Sequence, residues 1–274
     1  MPRSFRIKLI SKDRFLDNVM QDMATMDRLV GIFSDGFGKS KFPRSKISLV
    51  SDVLLSPESV RKLGVDFFHT GRGYAIPFGA GLKLGNLDLK VVVVVGDLLT
   101  LSGNHFLHSA RGNMDLVIVC LNHFLYKKVG GEDPKVRYSQ VSPFSGDEEP
   151  FNIPHLAKSL GAVYVARWTL MHAGQLANSL SEAMRAKGFS VIEVIAPGVN
   201  YFLGQRGERD VSGLLEYYYK NSQVRNDGDT QNAGIGPDQK IIVGRFVHKE
   251  RETFIDSYNR QLEQVMKKKF RAYQ

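Results

Sequence analysis

Residues 90–126, KVVVVVGDLLTLSGNHFLHSARGNMDLVIVCLNHFLY, pass from apolar run to polar stretch and back, and this rhythm organises the chain. Five successive valines, 91–95, leave no polar position to face water. They predict a strand covered on both faces, as the central strands of parallel sheets are. The strand ends at Gly96-Asp97. Ser102 or a neighbour then caps a short helix whose apolar positions, Phe106, Leu107 and Ala110, fall at helical spacing. A second apolar strand, 116–121, ends at Asn122-His123. Strand, turn with a carboxylate, helix, strand, turn with polar side chains is the order of an open parallel sheet, which binds ligands outside the carboxyl ends of its strands. Asp97 and Asn122-His123 are expected in that crevice.

Upstream, Phe15, Val19, Met23, Met26 and Val30 recur at three- and four-residue intervals and predict an amphipathic helix over 13–30. The glycine-containing stretch 34–44 reads as a loop, 46–50 as a short strand leading to Ser51-Asp52, and FFHTGRG at 67–73 as a second loop. Residues 74–85 predict a helix whose small side chains permit close packing on a sheet. Downstream, 127–154 is polar and aperiodic, with Gly130-Gly131, Asp133-Pro134 and Ser142-Pro143; such stretches in compact domains are usually functional or cover a neighbour. A helix at 154–160, a strand at 162–166, a helix at 174–186 and a strand at 189–195 continue the sheet. Residues 205–239 are polar, with apolar anchors at 214–219; 241–247 predict a last strand and 250–270 a terminal helix.

Composition narrows the class. A chain of 274 residues, 43% hydrophobic and 24% charged, suits one large α/β domain or two small ones. Its single cysteine, Cys120, lies in an apolar strand and is expected to be an inert core residue, which excludes disulfides and multi-cysteine metal sites within this chain. No segment approaches the length of an apolar membrane span and the N-terminal residues lack an apolar signal core, so a cytoplasmic protein without membrane contact is expected. The net charge of +9 is spread along the chain apart from Lys267, Lys268, Lys269 and Arg271, a cluster that reads as a solvated helix end rather than a nucleic-acid surface.

Among chemistry-bearing residues, His69 and Arg72 stand in an aperiodic, glycine-rich loop and are the better functional candidates. His105 and His108 are three apart on one helix without an evident third ligand, which favours packing and hydrogen bonding over a metal. Lys127 and Lys128 face either phosphate or water.

The runs FFHTGRGYAIPFGAGLKLGNLDLKVVVVVGD, SGNHFLHSARGNMDLVIVCLNHFLY, EEPFNIPHLAKSLGAVYVAR and KGFSVIEVIAPGVNYF, colinear over 46–201, resemble the β subunit of the 2-oxoacid:ferredoxin oxidoreductases. The resemblance implies the thiamine diphosphate-binding fold, an α/β/α sandwich with a mainly parallel central sheet, over residues 1–200. Residues 201–274 would be an extension packing on that domain or on a partner. It implies thiamine diphosphate and Mg²⁺ as cofactors. It also implies an α-type subunit bearing the pyrimidine-binding domain, ferredoxin-like subunits, and ferredoxin as acceptor. Activity would then belong to the complex and not to the isolated chain. Carried over position by position, the cofactor-binding residues are Gly96, Asp97, Asn122, His123, Leu125, Arg72 and Lys128. The metal ligands are Asp97, His123 and the backbone carbonyl of Leu125.

The departures are specific. The family's GDGD-type loop is reduced to Gly96-Asp97. Without a gap there, Asp97 matches the second aspartate and Val95 the metal position; with the gap placed after it, Asp97 is the metal ligand. His123 stands where the family has a ligand asparagine, and an imidazole is a poor donor for a hard ion. Arg72 replaces the family's histidine, and Lys127-Lys128-Val129-Gly130 replaces its Leu-Thr-Lys-Gly. The cysteines that hold an iron–sulfur cluster in many members are absent, so no cluster is expected on this chain. Two roles follow. The chain either contributes the diphosphate and metal half of a thiamine diphosphate site for oxidative decarboxylation of a 2-oxoacid, or is a catalytically degenerate paralogue serving as a structural or regulatory subunit.

Overall fold

A computed structural model describes residues 12–53, 55–96, 102–122, 151–196, 211–235, 240–267 and 270–273. In chain order the elements are α1 (Lys12–Ser40), β1 (Ile47–Ser51), α2 (Pro57–Arg61), β2 (Asp66–His69), α3 (Ala75–Gly85), β3 (Lys90–Gly96), α4 (Gly103–Arg111) and β4 (Val117–Asn122). They continue with α5 (Ile153–Ser159), β5 (Tyr164–Thr169), α6 (Ala173–Arg185), β6 (Ser190–Ile195), α7 (Val211–Lys220), β7 (Ser222–Val224), a 3₁₀ turn at Thr230–Ala233, β8 (Ile241–His248) and α8 (Phe254–Met266).

The strands form one sheet in the order β2-β1-β3-β4-β6-β5-β8-β7. The first six run parallel, and β8 runs antiparallel to β5 with a register irregularity between Val165 and Ala166. The valine run is the reason β3 sits near the middle. Val92 and Val94 pack into a core with Phe33 and Phe37 of α1, Val60 of α2 and Leu180 of α6. Val91, Val93 and Val95 join the opposite core with Ile76 of α3, Phe106 of α4 and Ala157 of α5. All five are wholly buried, so this strand demands helices on both faces and obtains them.

Several expectations are corrected. α1 does not stop near residue 30 but runs through the glycine-containing stretch to Ser40. Gly36 signals close approach there: a Cβ added to it would lie 2.8 Å from Leu180 Cδ2 and 3.1 Å from the Ala177 carbonyl oxygen of α6. Tertiary packing thus overrides the local breaker signal. Phe67, Phe68 and His69 are not loop but edge strand β2, in register with Leu49, Val50 and Ser51 of β1. β5 begins two residues later than expected and α8 is shorter at both ends, starting where Thr253 and Asp256 form a capping box. The polar stretch before β8 contains helix α7 and the short strand β7. On α4, Phe106 and Ala110 are buried as expected, but Leu107 is exposed. His108 is exposed too, so packing does not hold it.

Candidate active site at the carboxyl edge of the sheet

The connection from β1 leads outward to β2, whereas that from β3 leads the other way to β4. The strand order therefore reverses between β1 and β3, and in open parallel sheets the carboxyl ends of strands at such a switch point are where ligands bind. Asp52, the residue after β1, stands at this point and is buried. Its Oδ1 accepts from the Gly96 amide at 3.1 Å and its Oδ2 from the Gly73 amide at 2.9 Å. One carboxylate thus clamps the end of β3 to the loop carrying Arg72. The same loop is tied to β1 by the Thr70 amide, which donates to the Ser51 carbonyl at 2.9 Å. Sequence reasoning passed over Asp52. The available signal was a carboxylate directly after a short apolar strand, the same signal that drew attention to Asp97.

Beyond β3 the chain enters α4 at Ser102. Its side chain does not cap the helix: the residue is fully buried and its hydroxyl has no hydrogen-bond partner among the described residues. A buried donor at a helix N-terminus, where backbone amides also lack intrahelical acceptors, favours an anionic oxygen. α3 crosses beneath this region at close range. At Gly79 an added Cβ would lie 2.7 Å from Val93 Cγ2, so the small residues of this helix do permit tight packing on the sheet.

Gly96 is paired in register with Leu121, which puts Asn122 at the same edge on the adjacent strand. Asn122 is buried; its Nδ2 donates to Glu193 Oε1 at 2.7 Å, and its carbonyl accepts from the Ala196 amide at 3.2 Å. Glu193 Oε2 in turn accepts from Arg167 Nε at 2.6 Å, with both side chains wholly buried. Further along the edge, His172 follows β5. Its Nδ1 lies 2.9 Å from Thr169 Oγ1, its ring packs on Trp168 and Tyr219, and burial pushes its pKa down.

The structure thus brings Gly96, Asn122 and the Arg72 loop to one edge, with Arg72 exposed and His69 at the end of β2. Asp97, His123, Leu125 and Lys128 lie outside the described residues, as do Lys127 and the polar stretch that follows. Among the described residues no three His, Cys, Asp or Glu side chains gather in a metal-binding group. Cys120 is buried within β4. Glu193, Arg167 and His172 were not singled out from the sequence: Glu193 falls inside an expected strand, and Arg167 and His172 fall in the short connection between the expected strand at 162–166 and helix at 174–186, where no motif marks them.

Comparison with known proteins gives the family. Residues 52–194 match the model of the thiamine pyrophosphate enzyme C-terminal TPP-binding domain, a range that begins at Asp52 and ends in β6. A 2-oxoglutarate synthase subunit KorB of Methanothermobacter thermautotrophicus is 34% identical over 226 residues, covering 79% of this chain and 78% of that protein. The subunit of the same name from Archaeoglobus fulgidus is 38% identical over 220 residues, covering 77% and 80%. The chain belongs to the β subunits of the 2-oxoacid:ferredoxin oxidoreductases. A β subunit is one part of a multi-subunit oxidoreductase, and this one contains the thiamine pyrophosphate-binding domain. Its fold is shared with a 2-oxoglutarate:ferredoxin oxidoreductase from Magnetococcus marinus, at a TM-score of 0.66 and 18% identity over 86% of this chain and 84% of the other. The carboxyl edge of the β subunit, from Asp52 through Gly96 and Ser102 to Asn122, is the candidate ligand edge, lying at the switch point where open parallel sheets bind ligands.

Proposed function

We propose that this β subunit supplies the diphosphate half of a thiamine diphosphate site and that an α-type subunit supplies the pyrimidine-binding half. The observation that carries the reading is the buried hydroxyl of Ser102 at the N-terminus of α4, which has no partner among the described residues. A hydroxyl and helix-terminal amides together suit a diphosphate. In this assignment Gly96 lets backbone approach the ligand, Arg72 and Lys128 bring positive charge to it, and Asn122 lines the neighbouring strand end. Mg²⁺ would be held by Asp97, His123 and the Leu125 carbonyl, two oxygen donors and one imidazole. Thiamine diphosphate, when bound, supplies the carbon nucleophile for 2-oxoacid decarboxylation. The chain's own residues bind, orient and neutralise the charged end.

Several relatives carry the name 2-oxoglutarate synthase, which favours 2-oxoglutarate as the 2-oxoacid. With one cysteine in the chain, electrons would pass to ferredoxin through clusters on other subunits. Residues 201–274 would form an extension packing on the domain or on the partner, and the complex would work in the cytoplasm. A second reading, a degenerate paralogue with a structural or regulatory role, is favoured by His123 at the asparagine position and by the shortened Gly96-Asp97 loop.

The test is calorimetric titration of thiamine diphosphate and Mg²⁺ into the chain co-purified with its α-type partner. Saturable binding that requires the partner and weakens in Asp97→Ala and Ser102→Ala is the expected result. Binding indifferent to Asp97→Ala would defeat the metal placement. No binding at all would favour the degenerate paralogue.

A further inference from the structure

The face of the sheet under α3, α4 and α5 is largely apolar, and the charged side chains buried on it within β5 and β6 are Arg167 and Glu193. Arg167 on β5 and Glu193 on β6 are directly paired in register, and Glu193 is paired with Cys120 of β4, two residues before Asn122. The three polar side chains therefore lie on one face across three neighbouring strands. Arg167 is anchored at its other end: Nη1 donates to the Ala233 carbonyl at 2.6 Å and to the Ile242 carbonyl at 3.4 Å. The chain of contacts runs from the 3₁₀ turn and β8, through Arg167 and Glu193, to the last residue of β4.

A wholly buried ion pair is weak evidence for stability, because desolvation offsets most of its attraction; fixing one arrangement is its better-attested use. Here the arrangement follows from donor inventory. A carboxylate only accepts, so Asn122 must turn its NH₂ toward Glu193 and carry its amide oxygen on the opposite branch. A glutamine at 193 could donate instead, and the Asn122 amide could then turn over.

We infer that Glu193, held by Arg167, is a positioning residue that fixes the amide orientation of Asn122 and the exit of β4. This rests on the reading above, in which that exit faces the charged end of the cofactor. It assigns Glu193 no contact with cofactor or substrate.

The test compares Glu193→Gln, Asn122→Asp and the double variant with the native chain, each co-purified with its α-type partner. Two quantities are read: calorimetric affinity for thiamine diphosphate with Mg²⁺, and hydrogen exchange of the amides following Asn122 without cofactor. Thermal midpoints are recorded alongside. Glu193→Gln should lower affinity about 10- to 100-fold, the range for residues that orient ligands from behind, and speed exchange at the β4 exit. Asn122→Asp should lower affinity too, by setting two carboxylates face to face. The double variant restores an NH₂-to-carboxylate contact with an oxygen on the outer branch, and should regain affinity. Affinity that merely tracks the thermal midpoint across the four proteins, with no rescue in the double variant, would overturn the inference. If the native complex binds no thiamine diphosphate, the cofactor reading fails. Exchange then decides alone: faster exchange in Glu193→Gln supports the positioning role, and unchanged exchange overturns it.

Discussion

Asp52, just after β1, and Asp115, just before β4, are carboxylates at opposite edges of the same sheet, with opposite surroundings. Asp52 accepts two backbone amides at the carboxyl edge, and hydrogen bonds to a charged group each contribute about 1.5–3 kcal/mol. Asp52→Ala is expected to destabilise the fold by about 2–4 kcal/mol in denaturant unfolding and to expose the Arg72 loop to protease. Asp115 lies at the amino edge between two buried lysines, 2.7 Å from Lys90 Nζ and 3.0 Å from Lys83 Nζ. Burial alone would raise its pKa, but the two ammonium groups outweigh it and hold the carboxyl below the usual range. Its stabilisation is thus complete above the ordinary carboxylate pKa and lost as pH falls through the lower folded value. Lys90 is shifted the other way from a paired lysine: burial outweighs Asp115 and lowers its pKa, so stability rises with pH between that lowered value and the ordinary lysine range. Asp115→Asn leaves two buried cations unanswered and should cost about 3–5 kcal/mol near neutral pH. Urea midpoints followed from pH 7 downward should fall less steeply in that variant than in the native chain.

Between elements, glycine at contact points sets how close helices come. α3 lies on β3 through Gly79, where a Cβ would meet Val93 and, at 3.3 Å, Val91. Both valines are wholly buried and β-branched, so neither yields easily. Gly79→Val should cost about 1–3 kcal/mol in a thermal or denaturant melt despite valine's better helix propensity, because the helix must lift from the sheet. At the other end of the chain, α8 has no buried residue and depends on its cap. Thr253→Ala removes the hydroxyl that accepts the Asp256 amide, and should cost about 1 kcal/mol with fraying of the first turn visible by hydrogen exchange.

At the scale of the molecule, one edge of one sheet gathers the candidate ligand residues and the other edge gathers the Lys83–Asp115–Lys90 cluster, while the Arg167–Glu193 pair reaches the ligand edge through Asn122. Among the described residues no helix is long and apolar enough to cross a membrane. If the carboxyl edge is half a site, adding thiamine diphosphate and Mg²⁺ should raise the thermal midpoint of the α–β assembly by mass action and leave that of the isolated chain unchanged. The strands buried on both faces, most helices and the sheet's parallel character were legible because such burial leaves a mark on every residue of a strand, as in the valines of β3, whereas the half-exposed edge strands β2 and β7 left none. The likeness carried by four colinear runs gave the family for the same reason: it is written in many residues at once. What the sequence could not carry was the meeting of single residues far apart in the chain. Asp52 reaches Gly96 across 44 positions, and Asn122 reaches Glu193 across 71. Neither contact leaves a local pattern, since each is made by strand order and register, and only the folded sheet brings those side chains within hydrogen-bonding distance.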